Sequence, residues 1–176
     1  MTILIDIDST IADILTPWLK SYNNKYKDNL KPKDIVDWNV HIFTKPECGE
    51  KIYDFIKNPK LYNRVKPIPG ALEAITALRD MGLRIVFVTH FEPGFSYAKF
   101  DWLKRYGFMT DDNDYVETRD KNLIKGSCLI DDNIDNVTQF SELGILYSTF
   151  QNKKYNYKYR LNSWSDIVKI IEDNFS

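Results

Sequence analysis

The chain has 176 residues, 43% of them hydrophobic, and a formal net charge of −1. That suits one domain, or one domain with a modest insertion, and it excludes a global basic field for gripping long nucleic acid, leaving small polar or phosphorylated molecules held by local charge. No stretch is apolar enough to span a bilayer, no basic region precedes the N-terminal apolar run, and Cys48 and Cys128 form neither a disulfide framework nor a zinc pattern, so a reducing cytoplasmic compartment is expected.

The first element is a buried strand, since Ile3, Leu4 and Ile5 are strand formers. It runs into Asp6 and Asp8, with Thr10 just beyond. If the chain is still extended there, both carboxylates point to one face, because strand side chains repeat every two residues. Two adjacent carboxylates repel each other unless a cation or a shared proton intervenes. The pairing therefore suggests a metal site, an acid/base pair, or both.

Ala12 to Lys27 reads as a helix, with Ile14, Leu15, Trp18, Leu19 and Tyr22 at helical spacing and Pro17 marking a start or kink. Residues 31–64 hold no convincing strand. They read as short helical pieces broken at Pro32, Pro46 and Pro59, a small helical insertion carrying Trp38, His41 and Phe43. Regular alternation resumes at Pro69-Gly70. The spacing predicts a helix over Ala71 to Met81 closed by Gly82, a strand over Leu83 to Thr89, and a helix over Ser96 to Tyr106 closed by Gly107. A short strand follows at Tyr115 to Glu117, and another at Cys128 to Ile130 that ends at Asp131-Asp132. Cys128 reads as a small buried apolar residue. Ile134 to Leu143 reads as a helix stopped at Gly144, Ile145 to Phe150 as a strand, and Ser165 to Asn174 as a final helix. Gln151 to Arg160, rich in Lys, Asn and Tyr, reads as a solvated loop; a grip on single-stranded nucleic acid is the lesser alternative.

Strands alternating with helices imply a parallel α/β sheet with right-handed crossovers. The chemically useful residues then share one edge. Asp6 and Asp8, Thr89, and Asp131 with Asp132 all follow strands, and Lys121 lies in the loop before the last pair. Carboxyl ends of parallel strands form the ligand crevice of open α/β folds. Carboxylates, a hydroxyl and an ammonium gathered there suit phosphate-monoester hydrolysis. A hard cation such as Mg²⁺ takes carboxylate and phosphate oxygens. Thr89 donates to a phosphoryl oxygen, Lys121 neutralises the transferring group, one carboxylate attacks and the other protonates the leaving oxygen. His90 stands beside the same edge as a candidate contact to phosphate or substrate.

Asp6-Ile-Asp8-Ser-Thr10, Thr89, Lys121 and Ile130-Asp131-Asp132 resemble, in order, the four motifs of the haloacid dehalogenase superfamily. The wording is closer to one branch, the 5′(3′)-deoxyribonucleotidases. Pro67 to Ala74, Lys99 to Leu103, Thr118 to Lys121 and Leu129 to Asp132 carry that likeness, which covers roughly Ile3 to Phe150. The resemblance implies a Rossmann-like three-layer fold with a central parallel sheet. The core would comprise residues 1–13 and 67–176, with a helical cap inserted at 14–66. Asp6 would be the nucleophile that forms an aspartyl-phosphate, and Asp8 the general acid and then base. Mg²⁺ would be held by Asp6, the main-chain carbonyl of Asp8, and Asp132, with Asp131 a ligand or a partner just behind. Thr89 and Lys121 would bind phosphate. The implied substrate is a deoxyribonucleoside monophosphate.

The sequence departs from that pattern at three places. Ser9 stands where the family often has glycine, and His90 where a small hydroxyl residue is common. Ile14 occupies a position at which the family commonly stacks an aromatic on the base. Trp38 and Phe43 are then candidate base contacts or packing residues of the cap. Another small phosphate ester, or a 3′-phosphate on a nucleic-acid end, is the alternative substrate; a non-enzymatic nucleotide or Mg²⁺ module is a third reading. The oligomeric state, monomer or homodimer, is open at this point.

Overall fold

The computed structural model describes residues 1–175. Its elements in chain order are β1 (Thr2–Ile5), β2 (Ala12–Asp13), α1 (Leu15–Tyr26), α2 (Tyr53–Ile56), β3 (Lys66–Pro67), α3 (Ala71–Asp80), β4 (Arg84–His90), α4 (Ser96–Arg105), β5 (Tyr115–Thr118), β6 (Cys128–Asp131), α5 (Ile134–Gln139), β7 (Leu143–Tyr147), β8 (Arg160–Leu161) and α6 (Ile167–Phe175), joined in part by short 3-10 turns.

Six strands form one sheet in the order β5-β4-β1-β6-β7-β8, and every neighbouring pair is parallel. Strand β1 lies at the middle, with Ile5 opposite Phe87 on one side and Ile130 on the other. The strand order reverses there, so a crevice opens at the carboxyl end of β1. Alternation along the strands divides the core. Leu4, Val86, Val88 and Leu129 face Phe140, at the end of α5. Ile3, Ile5, Phe87 and Ile130 belong to the larger cluster with buried residues of α3, α4 and α6. Helices thus cover both faces of the parallel sheet that the alternation predicts, giving the three-layer α/β arrangement that the resemblance implies.

Residues 14–66 contain α1, α2 and short 3-10 turns, with no strand before Lys66. The segment departs and returns through a two-residue antiparallel ribbon that pairs Ala12 with Pro67 and Asp13 with Lys66. This ribbon is why α1 starts at Leu15 and not at the expected Ala12. Pro17 falls in the first turn of α1, where its missing N–H leaves no helical bond unmade.

Two further expectations are corrected. Gly144 does not stop α5, which already ends at Gln139; it lies inside β7, where glycine is needed because a Cβ would meet the Val137 carbonyl oxygen at 2.1 Å. The segment 151–160 is not a wholly solvated loop. Gln151 and Asn152 are buried, and the Arg160 guanidinium donates to the Asn152 side chain at 2.9 Å and the Tyr155 carbonyl at 2.6 Å, steering the chain into β8. Cys48 and Cys128 are free and buried. Among the described residues, no helix is long and apolar enough to cross a membrane.

Candidate active site

Strand β1 delivers Asp6 to the crevice: its N–H still bonds the Ile130 carbonyl at 2.9 Å, one step beyond the last strand residue. The chain then folds into a tight turn in which the N–H groups of Thr10, Ile11 and Ala12 all reach the Ile7 carbonyl, with Ser9 at φ 60°. This turn ends the extended geometry just beyond Asp6, yet Asp6 and Asp8 line one cavity. Their carboxylates have separate partners.

Asp6 is buried between Lys121, whose ammonium donates to Oδ1, and Thr10, whose hydroxyl donates to Oδ2 at 3.3 Å. Lys121 also donates to Asp131 Oδ2 at 2.6 Å. Asp131 is fully engaged: Asn136 donates to the same oxygen at 2.9 Å, and the Asn133 N–H donates to Oδ1 at 2.8 Å. Asp132 differs from both. It is buried, and its Oδ2 has no hydrogen-bond partner.

Carboxylate oxygens of Asp6, Asp131 and Asp132 lie within 4.8 Å of one another. Three carboxylates face one ammonium here, a negative excess that burial makes costly. Burial, then the Asp131 and Asp8 charges, push Asp6 up to about 7 against the pull of Lys121. Burial, then the Asp131 and Asp6 charges, hold Asp132 well above the usual carboxylate range. Burial would lower the Lys121 ammonium, yet Asp6 and Asp131 keep it above its ordinary value and so charged. An unpartnered, buried carboxylate oxygen in an all-oxygen donor set is what a hard divalent cation requires. The residues present fit such a cation.

Asp8 has partners of its own. Its Oδ1 accepts from the Tyr62 hydroxyl, and its Oδ2 meets the Lys99 ammonium at 2.9 Å. Lys99 also donates to the Thr89 hydroxyl oxygen at 2.8 Å, at the end of β4. These groups open onto two adjoining lobes of about 430 and 500 Å³, which share Asp8, Ile14, Tyr53, Ile56 and His90 in their walls. Each lobe has the size of a small-molecule site.

The sequence profile of the family described as 5′ nucleotidase, deoxy (pyrimidine), cytosolic type C protein (NT5C) matches residues 1–174. The chain belongs to that family. It is similar to a 5′(3′)-deoxyribonucleotidase of Clostridium acetobutylicum, 34% identical over 97% of this chain and 94% of the relative. A second relative is the 5′(3′)-deoxyribonucleotidase of Bacillus subtilis, 29% identical over 95% and 96% of the two chains. The fold of this chain is similar to that of a HAD family hydrolase from Deinococcus radiodurans solved with bound phosphate and sodium, at a TM-score of 0.62 and 13% identity, covering 97% of this chain and 95% of that one. The three-layer α/β fold is that of the haloacid dehalogenase hydrolases.

In this NT5C-family chain, the expected site residues Asp6, Asp8, Thr89, His90, Lys121, Asp131, Asp132, Ile14 and Trp38 line the first lobe. Phe43 does not; it is half-buried and packs against the hydrophobic core. The Asp8 side chain stands apart from the cluster of three carboxylates. His90 is exposed at the rim, and His41 is directed to Tyr53, with Nδ1 at 3.0 Å from its hydroxyl. Three residues without an expected role in the site make contacts there: Thr10 of the first motif, Lys99 and Tyr62. Lys99 had a signal, because it shares a helical stripe with buried Phe95, Trp102 and Leu103. Tyr62 had none.

Proposed function

We propose that this family member is a Mg²⁺-dependent phosphomonoesterase that hydrolyses deoxyribonucleoside monophosphates through an aspartyl-phosphate on Asp6. The observation that carries the reading is the pairing of a buried Asp6–Lys121–Asp131 chain with a second carboxylate, Asp8, across one cavity. Asp6, Asp132 and the main-chain carbonyl of Asp8 would hold the cation, with Asp131 behind them. Bound there, it would offset the repulsion between a carboxylate and an anionic phosphate.

The remaining chemistry belongs to the side chains. Asp6 attacks phosphorus; the Asp6–phosphorus bond forms as the bond to the nucleoside oxygen breaks. Asp8 passes its proton to that leaving oxygen. Asp8, now a carboxylate, takes a proton from water as the water oxygen attacks phosphorus, which releases phosphate and restores Asp6. Lys121 offsets charge on the phosphoryl oxygens. Thr89 accepts from Lys99, so its own hydroxyl proton is free for a phosphoryl oxygen. Residues 14–66 act as the cap that excludes water, with Ile14 and Trp38 in the cavity wall on the nucleoside side. Cys48 and Cys128, free and buried, suit a cytoplasmic enzyme.

The test is phosphate release from a panel of 5′- and 3′-deoxyribonucleoside and ribonucleoside monophosphates, with Mg²⁺ and with a chelator, beside Asp6→Asn. Release that needs the metal, favours deoxyribonucleotides and vanishes in a folded Asp6→Asn is expected. Unchanged turnover in that variant would sink the mechanism.

A further inference from the structure

Asp8 is held at both oxygens by Lys99 and Tyr62, neither of them an expected site residue. Lys99 is buried on α4, and its ammonium reaches three acceptors: Asp8 Oδ2 at 2.9 Å, Thr89 Oγ1 at 2.8 Å and the His90 carbonyl at 3.4 Å. Those contacts use its three donors. Tyr62 comes from the other side, from the turn Pro59–Asn63 at the end of the helical segment. Its ring is buried edge-on to Trp102 at 6.4 Å, and its carbonyl is held by the Arg105 guanidinium at 2.9 Å. The hydroxyl therefore has a fixed origin when it donates to Asp8 Oδ1. Burial and the facing Asp8 keep that phenol protonated, so it stays a donor.

We propose that Lys99 and Tyr62 form a positioning clamp that fixes the Asp8 carboxyl toward the leaving-group oxygen while freeing the Thr89 proton for phosphate. Each carboxyl oxygen has a second lone pair, so a proton on Asp8 is compatible with both contacts. The Asp8 side chain is still 36% exposed, and its open side faces the two lobes. When the ester bond breaks, the proton leaves Asp8 for the nucleoside oxygen, and the new carboxylate is met at once by two donors already in place. Such preorganisation counts most where charge develops in the transition state. The clamp also links layers: Lys99 belongs to the helix after β4, and Tyr62 to the segment proposed as a cap.

This inference rests on the phosphatase reading, and its test separates the two. A nucleoside leaves as an alkoxide that needs the Asp8 proton, whereas 4-nitrophenolate leaves without one. The measurement is kcat/KM for a deoxyribonucleoside monophosphate and for 4-nitrophenyl phosphate, a ratio that excludes the later water attack. Tyr62→Phe and Lys99→Met are compared with wild type and with Asp8→Asn. Leaving-group protonation by a positioned acid contributes about 10²–10⁴-fold, so the nucleotide-to-aryl ratio should fall at least about tenfold in each variant, toward the Asp8→Asn value. A merely structural role would lower both substrates together. A smaller fall of the ratio in either variant overturns the clamp. Wild-type protein that releases phosphate from neither ester overturns the phosphatase reading itself.

Discussion

Asp132 shows how one side chain reports on a ligand. Its Oδ2 is buried without a partner, while Asp131 beside it has every oxygen engaged. An unpaired buried carboxylate is destabilising until a cation reaches it. Asp132→Asn should therefore raise metal-free stability, by about 1 kcal/mol near pH 8, and abolish the stabilisation given by Mg²⁺. Thermal melts in chelator and in excess Mg²⁺ check both halves; a less stable metal-free variant would contradict the first. The same residue shows what a sequence can carry. Asp6, Lys121 and Asp132 stand out because each sits at a strand end or just before one, in a local wording that chemistry constrains. Lys99 stands out only by its place in an apolar helical stripe, and Tyr62 not at all. A lysine on a helix ordinarily reads as a solvated face, and Tyr62 meets Asp8 only because a turn of the helical segment folds back over β1.

At the scale of elements, patterning found the strands of the sheet except β8, and α1 and α3 to α6, because burial on one face imposes a period. It failed where an element is too short to have one. The β2–β3 ribbon is two residues on each side, and β8 is two residues set by an arginine network. It also misread Gly144, since a glycine that ends a helix and one that lets a helix approach a strand look alike in sequence. The structure separates them. Gly82 closes α3 at φ 79° and a Cβ there meets nothing, whereas a Cβ at Gly144 lies 2.1 Å from the Val137 carbonyl. Gly82→Ala should then cost about 1–2 kcal/mol, the left-handed penalty alone. Gly144→Ala must push α5 off β7 and should cost about 3 kcal/mol or more. It should also slow phosphate release, because Asn136 on α5 holds Asp131 in place. Melting temperatures of the two variants decide it; equal shifts would mean that the α5–β7 approach yields.

For the whole molecule, the buried carboxylates tie stability to pH and cation together. Asp6 moves from 3.8 to about 7 on folding, and Asp132 is raised as well. A carboxyl raised in the native state keeps its proton there after the unfolded chain has lost it. Between the two values the native state binds more protons, so unfolding free energy falls as pH rises. The window for Asp6 opens near 4 and closes near 7. Lys121, raised above its ordinary value, contributes no slope there, because it is charged in both states below its unfolded value. Metal-free protein should therefore lose melting temperature steadily from pH 5 to pH 7.5. Excess Mg²⁺ should reverse the trend, since it binds the ionised carboxylates, which become more available as pH rises. At a hundredfold excess over Kd the linkage stabilises by about 2.7 kcal/mol, enough to be read as a shift of several degrees in a chain of this size. Two melting curves against pH, one in chelator and one in Mg²⁺, should diverge with rising pH. Parallel curves would mean that the three carboxylates are ionised without a cation, and that the cost of burying them is met by the protein alone.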